Sequence, residues 1–261
     1  MEPMTYCLGI MTREGLVMAS DSRTNAGYDQ VNVCRKMHTF VLPGERAFVL
    51  LTSGSLSLTQ STITLMQDDF QQGRGLAQVD SMYAAARIVG DAVRRVSDLD
   101  RAALERDDYN FNIHLLLGGQ VKGGSSALYC IYPQGNPLSA TQDSPYLQIG
   151  EAKYGRPILD RGIVYDETPL DVASLYAMLS FDATIRSNVT VGPPLELLVY
   201  RDGALDFTEY RRFAADDAEL LELHARWETA LRRAVEDLPR LHYTDRPSPV
   251  QQLLMETAAR P

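Results

Sequence analysis

Lysine is nearly missing from this chain. Of its 25 basic residues only three are lysine, at 36, 122 and 153, so arginine supplies the surface charge. Long apolar runs are missing too: nothing approaches the roughly 18 consecutive apolar residues of a membrane span, which excludes a helical one. A basic stripe is absent, and a formal net charge of -9 argues against a nucleic-acid partner, since phosphates would go unneutralised. The three cysteines, Cys7, Cys34 and Cys130, are odd in number and far apart, and read as reduced thiols of a cytoplasmic protein. The four histidines, at 38, 114, 224 and 242, show no ligand spacing, so neither a metal nor a cofactor is expected. Met1-Glu2-Pro3-Met4 has neither the basic nor the apolar region of a signal peptide.

What is there is ordinary for a globular protein: 45% apolar and 23% charged residues in 261 positions, enough to bury a large core without disulfides. Thr5 to Met11 and Gly15 to Ser20 read as strands joined by a tight turn. A polar stretch runs from Asp21 to Arg35. Lys36 to Leu42 and Ala47 to Thr52 follow as strands, the second continuously apolar. Helical spacing then appears from Ser55 to about Phe70, and again after Asp80, a candidate cap. Phe111 to Gly118 and Ala127 to Tyr132 return to strand, and Glu151 to Leu159 is predicted helical. Thr168-Pro169-Leu170-Asp171 has the form of a helix start, with Thr as cap. Leu195 to Arg201 and Ala204 to Tyr210 are the last strands, turning at Asp202-Gly203, and Asp216 to Leu238 is a final amphipathic helix. Runs of strands alternating with runs of helices predict an α+β fold, two antiparallel sheets with helices outside them.

The familiar nucleophile signatures are missing: no G-x-S-x-G, no S-x-x-K, and no P-loop order around Lys122. Attention therefore falls on the start of the chain. Thr5 opens the first strand, Asp21 ends the second, and Arg23 and Gly27 follow. Lys36 opens the third. A tight turn between the first two strands brings Asp21 back beside Thr5, and the third strand delivers Lys36 to the same end.

These residues resemble the proteasome β-subunit family, and more narrowly Anbu, its bacterial branch. The resemblance is carried by Thr5, Asp21-Ser22-Arg23, Lys36 and the Gly54 of Thr52-Ser53-Gly54-Ser55. It is carried also by SDSRTNAG (20–27), IGEAKYGRPILDR (149–161) and RSNVTVG (186–192), and runs from Thr5 to about Tyr210. It implies a four-layer αββα sandwich, the N-terminal nucleophile hydrolase fold, as a single domain over 1–261 with a helical extension at 213–261. It implies a threonine-type peptidase in which Thr5 is nucleophile, its α-amine the base, Lys36 and Asp21 the tuning pair, and Gly54 the oxyanion donor. Arg23, Glu151, Ser187 and Thr190 are secondary. A peptide or protein substrate would lie as an added strand between Thr24-Asn25-Ala26 and Ser53-Gly54. A homo-oligomer, ring or helical stack, is implied, and an unfoldase partner by analogy.

The chain departs from the wider family in two places. Gly150-Glu151-Ala152 puts a carboxylate where a serine hydroxyl is usual, and Ser187-Asn188-Val189-Thr190 lacks the usual acid. Residues 1–4 also precede Thr5; while they remain, its nitrogen is an amide and the expectation is an inactive precursor. The alternatives are a catalytically silent scaffold subunit and a small-molecule amidase.

Overall fold

The computed structural model describes residues 5–25, 31–106, 112–241 and 255. In chain order the strands β1 (Tyr6–Thr12), β2 (Gly15–Asp21), β3 (Arg23–Asn25), β4 (Val31–Val33), β5 (Met37–Leu42) and β6 (Arg46–Gly54) come first. Helices α1 (Leu56–Gln71) and α2 (Met82–Arg106) follow. Then come β7 (Ile113–Val121), β8 (Ala127–Ile131), β9 (Pro137–Ser139) and β10 (Tyr146–Gly150). Helices α3 (Ala152–Gly162) and α4 (Leu170–Ser187), strands β11 (Leu195–Arg201) and β12 (Glu209–Phe213), and helix α5 (Ala218–Glu236) complete the order. Two five-stranded sheets form, β10-β1-β2-β11-β12 and β5-β6-β7-β8-β9, both antiparallel.

Three cores stack these elements into four layers. Phe48, Leu50, Leu115 and Leu117 pack one sheet against Leu58, Ile63, Val89 and Val93 of α1 and α2. Tyr6, Leu8, Ile10, Val17 and Ala19 pack the other against Leu159, Ala173, Ala177 and Phe181 of α3 and α4. Between the sheets lie Cys7, Leu16, Met18, Val49, Leu51, Leu116 and Leu198. Alternate residues of β1, β2 and β6 thus serve different cores, which is why these strands read as continuous apolar runs. A one-residue slip of β2 would carry Asp21 from one face to the other, so register is tightly specified. The fold class and the αββα layering are as predicted.

Several local expectations differ. The polar stretch after Asp21 contains the β3–β4 hairpin, whose strands are only three residues each, too short for a periodic pattern to show. β9 and β10 fall where no strand is predicted. Phe111, Ala26 and Gly27, which figured in predicted segments, lie outside the described residues, as do residues 1–4. Ser81 rather than Asp80 caps α2, its hydroxyl accepting from the Ala84 N–H at 3.2 Å. Thr168 does not cap α4. Its hydroxyl accepts from the Val164 N–H at 2.9 Å, while the first N–H of α4, on Leu170, donates to Glu14 of the β1–β2 turn at 3.1 Å. A tertiary carboxylate there outcompetes the local signal.

Contacts group the chain into two units, 1–224 and 225–261. In the first, Leu220 and Leu223 of α5 pack against the α3/α4 core. In the second, Leu231, Val235, Leu238 and Leu241 are exposed. Among the described residues no helix is long and apolar enough to cross a membrane.

Burial, reinforced by the charge of Arg35, holds the His38 imidazole on β5 down to about 4 from its ordinary 6.5. The unfolded chain therefore takes up a proton that the folded chain resists. The stability contribution is complete above the unfolded value of 6.5 and is lost as pH falls towards about 4. Urea unfolding from pH 7 to 4 should lose up to about 3 kcal/mol through this group, and His38→Gln should flatten that slope. Parallel slopes in the two proteins would contradict the assignment.

Candidate active site

Thr5 is buried immediately before β1. Its carbonyl accepts from the Glu151 N–H at 2.7 Å, where β10 passes into α3. Gly150 makes that approach possible: its φ is +82°, and a Cβ there would stand 1.8 Å from the Thr5 oxygen. Tyr6 anchors the next position. Its hydroxyl bonds Ser180 and Gln148, and its ring meets Phe181 at 4.7 Å.

Asp21 is fully buried at the end of β2 and gathers the surrounding groups. Its Oδ1 accepts from the Tyr6 N–H at 3.1 Å and from Lys36 Nζ at 2.6 Å; its Oδ2 accepts from the Arg23 N–H at 3.3 Å. Burial pushes the carboxyl up, while the Lys36 ammonium and the Tyr6 and Gly192 N–H groups oppose that rise. Lys36, itself buried, donates also to the Arg23 carbonyl at 2.6 Å. Thr52 N–H bonds the Lys36 carbonyl at 3.0 Å, fixing Lys36 against β6.

A second set of bonds extends from Glu151, which is buried. Its Oε2 accepts from Asn188 Nδ2 at 3.0 Å and lies 3.5 Å from Lys153 Nζ. Asn188 Oδ1 accepts in turn from the Thr190 N–H at 3.0 Å and the Thr190 hydroxyl at 2.6 Å. Arg23 Nη1 donates to the Val189 carbonyl at 2.6 Å, and its guanidinium lies over Gly192, where a Cβ would stand 2.6 Å from Cζ. The residues after α4 are therefore tied to both Asp21 and Glu151. Ser187 is exposed at the end of α4 and lies outside these bonds.

Gly54 ends β6 with φ +112°, a conformation that suits glycine, and a Cβ would stand 2.1 Å from the Asn112 carbonyl oxygen. Ser53 is buried beside it. Both line a cavity of about 600 Å³, together with Gly150, Glu151 and Lys153 and with His114, Cys130 and Tyr132. Burial pushes the Cys130 thiol up to about 11, so it is a poor nucleophile. Thr24 and Asn25 stand in register with Asn32 and Val31 of the β3–β4 hairpin and are not among the residues lining that cavity. Among the described residues no group of three His, Cys, Asp or Glu is placed to hold a metal.

The fold matches solved structures over nearly the whole chain. Anbu (ancestral beta-subunit) from Yersinia bercovieri is 42% identical, over 92% of this chain and 100% of that one, with a TM-score of 0.86. The helical assembly of the Anbu complex from Pseudomonas aeruginosa is 44% identical over the same shares, with a TM-score of 0.87. An Anbu (Gly-1) mutant from Hyphomicrobium sp. strain MC1 is 41% identical, again over 92% and 100%, with a TM-score of 0.86. The chain belongs to the Anbu family. No family model and no curated protein matches it.

Within this Anbu chain, the structure joins Asp21, Arg23 and Lys36 directly, connects Thr5 to them through Tyr6, and connects Glu151 to Thr190 through Asn188. Asn188 was not singled out from the sequence. The signal was present, because a buried carboxylate at 151 needs a donor, and the segment RSNVTVG offers an amide.

Proposed function

We propose that the chain is a threonine-type N-terminal nucleophile hydrolase subunit that cleaves peptide or isopeptide bonds once Thr5 is the free N-terminus. The observation that carries this is the buried Asp21 carboxylate, which holds the Lys36 ammonium at 2.6 Å and the N–H of Tyr6, next to Thr5, at 3.1 Å. One carboxylate thereby fixes both the candidate nucleophile's backbone and the one lysine buried near it.

The chemistry follows from those positions. The Thr5 hydroxyl attacks the scissile carbonyl, and its proton passes to the Thr5 α-amine directly or through water. Model α-amines titrate near about 8, and the neighbouring ammonium disfavours a second positive charge, so the amine stays neutral enough to accept that proton. Lys36 carries three N–H donors, of which two go to Asp21 and Arg23, leaving one for the Thr5 hydroxyl. The Gly54 N–H receives the developing oxyanion, a contribution of about 3 kcal/mol. Collapse expels the amine product, which takes the proton from the Thr5 amine. Water then releases the acyl group and restores Thr5. Glu151, held by Asn188 and Lys153, supplies a nearby carboxylate to the amine where a hydroxyl is usual. The substrate lies extended between the backbone of Thr24-Asn25 and the Ser53-Gly54 turn.

The three cysteines are free, which supports a reducing, cytoplasmic setting. The relative from Pseudomonas aeruginosa was solved as a helical assembly, and this chain carries exposed Leu231, Val235 and Leu238 on the α5 side of its second unit. We infer a homo-oligomer. Light scattering should give a mass several times that of one chain; a single-chain mass at micromolar concentration would remove the inference.

For activity, protein started at Met4 loses that methionine because Thr5 is small. Its intact mass should increase by one adduct on incubation with a peptide epoxyketone, which needs a hydroxyl and a free α-amine on one residue. The adduct should vanish in Thr5→Ala. No adduct on a verified Thr5 terminus would favour the scaffold reading instead.

A further inference from the structure

Asp21 ends β2. Ser20, one residue earlier, faces the space between the sheets, as Leu16 and Met18 do. Opposite Ser20 in the β2–β11 register stands Glu196, which is 2% exposed, and opposite Glu196 on β12 stands Arg212. The Glu196 Oε1 accepts from the Tyr210 hydroxyl at 2.6 Å and lies 3.4 Å from Arg35 Nε. Its Oε2 has no partner among the described residues, and neither do the hydroxyls of Ser20 and Ser22. A buried carboxylate oxygen beside two buried hydroxyls, all unpaired, is an unfavourable arrangement unless something supplies donors.

A cavity of about 330 Å³ opens at this point, lined by Ser22, Arg35, Glu196, Tyr210 and Arg212. It makes two opposite demands. On the buried wall, Glu196 Oε2 and Ser22 call for a hydrogen-bond donor, best a charged one. On the rim, the exposed guanidinium groups of Arg35 and Arg212 have donors to spare and suit a carboxylate. A bare metal ion fits poorly: among the described residues no metal-holding group occurs, and two arginines repel it.

We propose that this cavity binds a zwitterion, a free amino acid or a short unblocked peptide. Its ammonium meets Glu196 and Ser22, and its carboxylate meets Arg35 and Arg212. The cavity volume suits a ligand of that size. The site is distinct from the cavity at Gly54 and Glu151, and its ligand binding does not depend on the hydrolase reading. Where both hold, the ligand is of the class that peptide hydrolysis releases. It would sit on Ser22 and Arg35, the chain neighbours of Asp21 and Lys36.

The test uses the full chain carrying Thr5→Ala, so that no turnover confuses binding, and calorimetric titration with alanyl-alanine. Saturable binding with a dissociation constant on the order of 1 mM is expected. N-acetyl-alanyl-alanine, lacking the ammonium, and alanyl-alanine amide, lacking the carboxylate, should each bind at least about tenfold more weakly. Arg212→Ala, an exposed change that spares the fold, should bind the dipeptide no better than its amide. Glu196→Gln should remove the preference over the acetylated form. Equal binding of blocked and unblocked peptides, or no saturation up to about 50 mM, would overturn the proposal and leave the cavity to water or to a side chain of a neighbouring copy.

Discussion

The buried ion pair between Asp21 and Lys36 is the constraint on which the rest of this structure depends. Removing two charges from water is costly, and only good geometry with the remaining lone pairs satisfied offsets it. Asp21 meets that requirement by accepting from Lys36, Tyr6 and Arg23 together. Those partners come from three separate segments: the entry to β1, the link after β2, and the start of β5. The pair therefore ties the end of the first hairpin to the residue that precedes β5, itself bonded to β6 of the other sheet. Losing one partner of such a pair costs about 3–5 kcal/mol. The polar cluster is thus a specification of how the sheets meet as well as a piece of chemistry.

Around that pair the layers act as a frame. The central strands β1, β2 and β6 are buried on both faces, so their ends rather than their faces are available for chemistry. Thr5, Asp21, Lys36, Gly54 and Glu151 all lie at such ends, where a backbone turn leaves N–H groups and side chains unclaimed by the ladders. Gly54 and Gly150 each have another segment's backbone carbonyl, that of Asn112 and of Thr5, in the space a Cβ would need. The family resemblance and the packing point to the same place for independent reasons.

Legibility in the sequence followed the physics. Continuous apolar strands and long helices were readable because burial on one or both faces leaves a strong pattern. The β3–β4 hairpin, β9 and β10 were not, since segments of three to five residues are too short to show a period. Helix starts misled where a distant side chain took over the cap, as Glu14 does for α4. At the site, Asp21 and Lys36 stand out by spacing and by resemblance, and Gly54 by resemblance. Asn188 and the unpaired Glu196 do not, because a buried polar group declares itself only through what surrounds it in space.

In the proposed reading, Glu151 stands where the wider proteasome pattern has a hydroxyl. A carboxylate near a free α-amine favours its protonated form, whereas Lys36 favours the neutral one, and the balance decides whether Thr5 has a base. Nuclear magnetic resonance titration of the Thr5 α-amine, in protein that begins at Thr5, measures that balance directly. The comparison is with the double variant Asp21→Asn, Lys36→Met, which removes the pair without stranding a buried charge. If the account is right, the amine titrates below about 8 in the native chain and moves up when the pair is removed. An amine that titrates at the same pH in both proteins would contradict it.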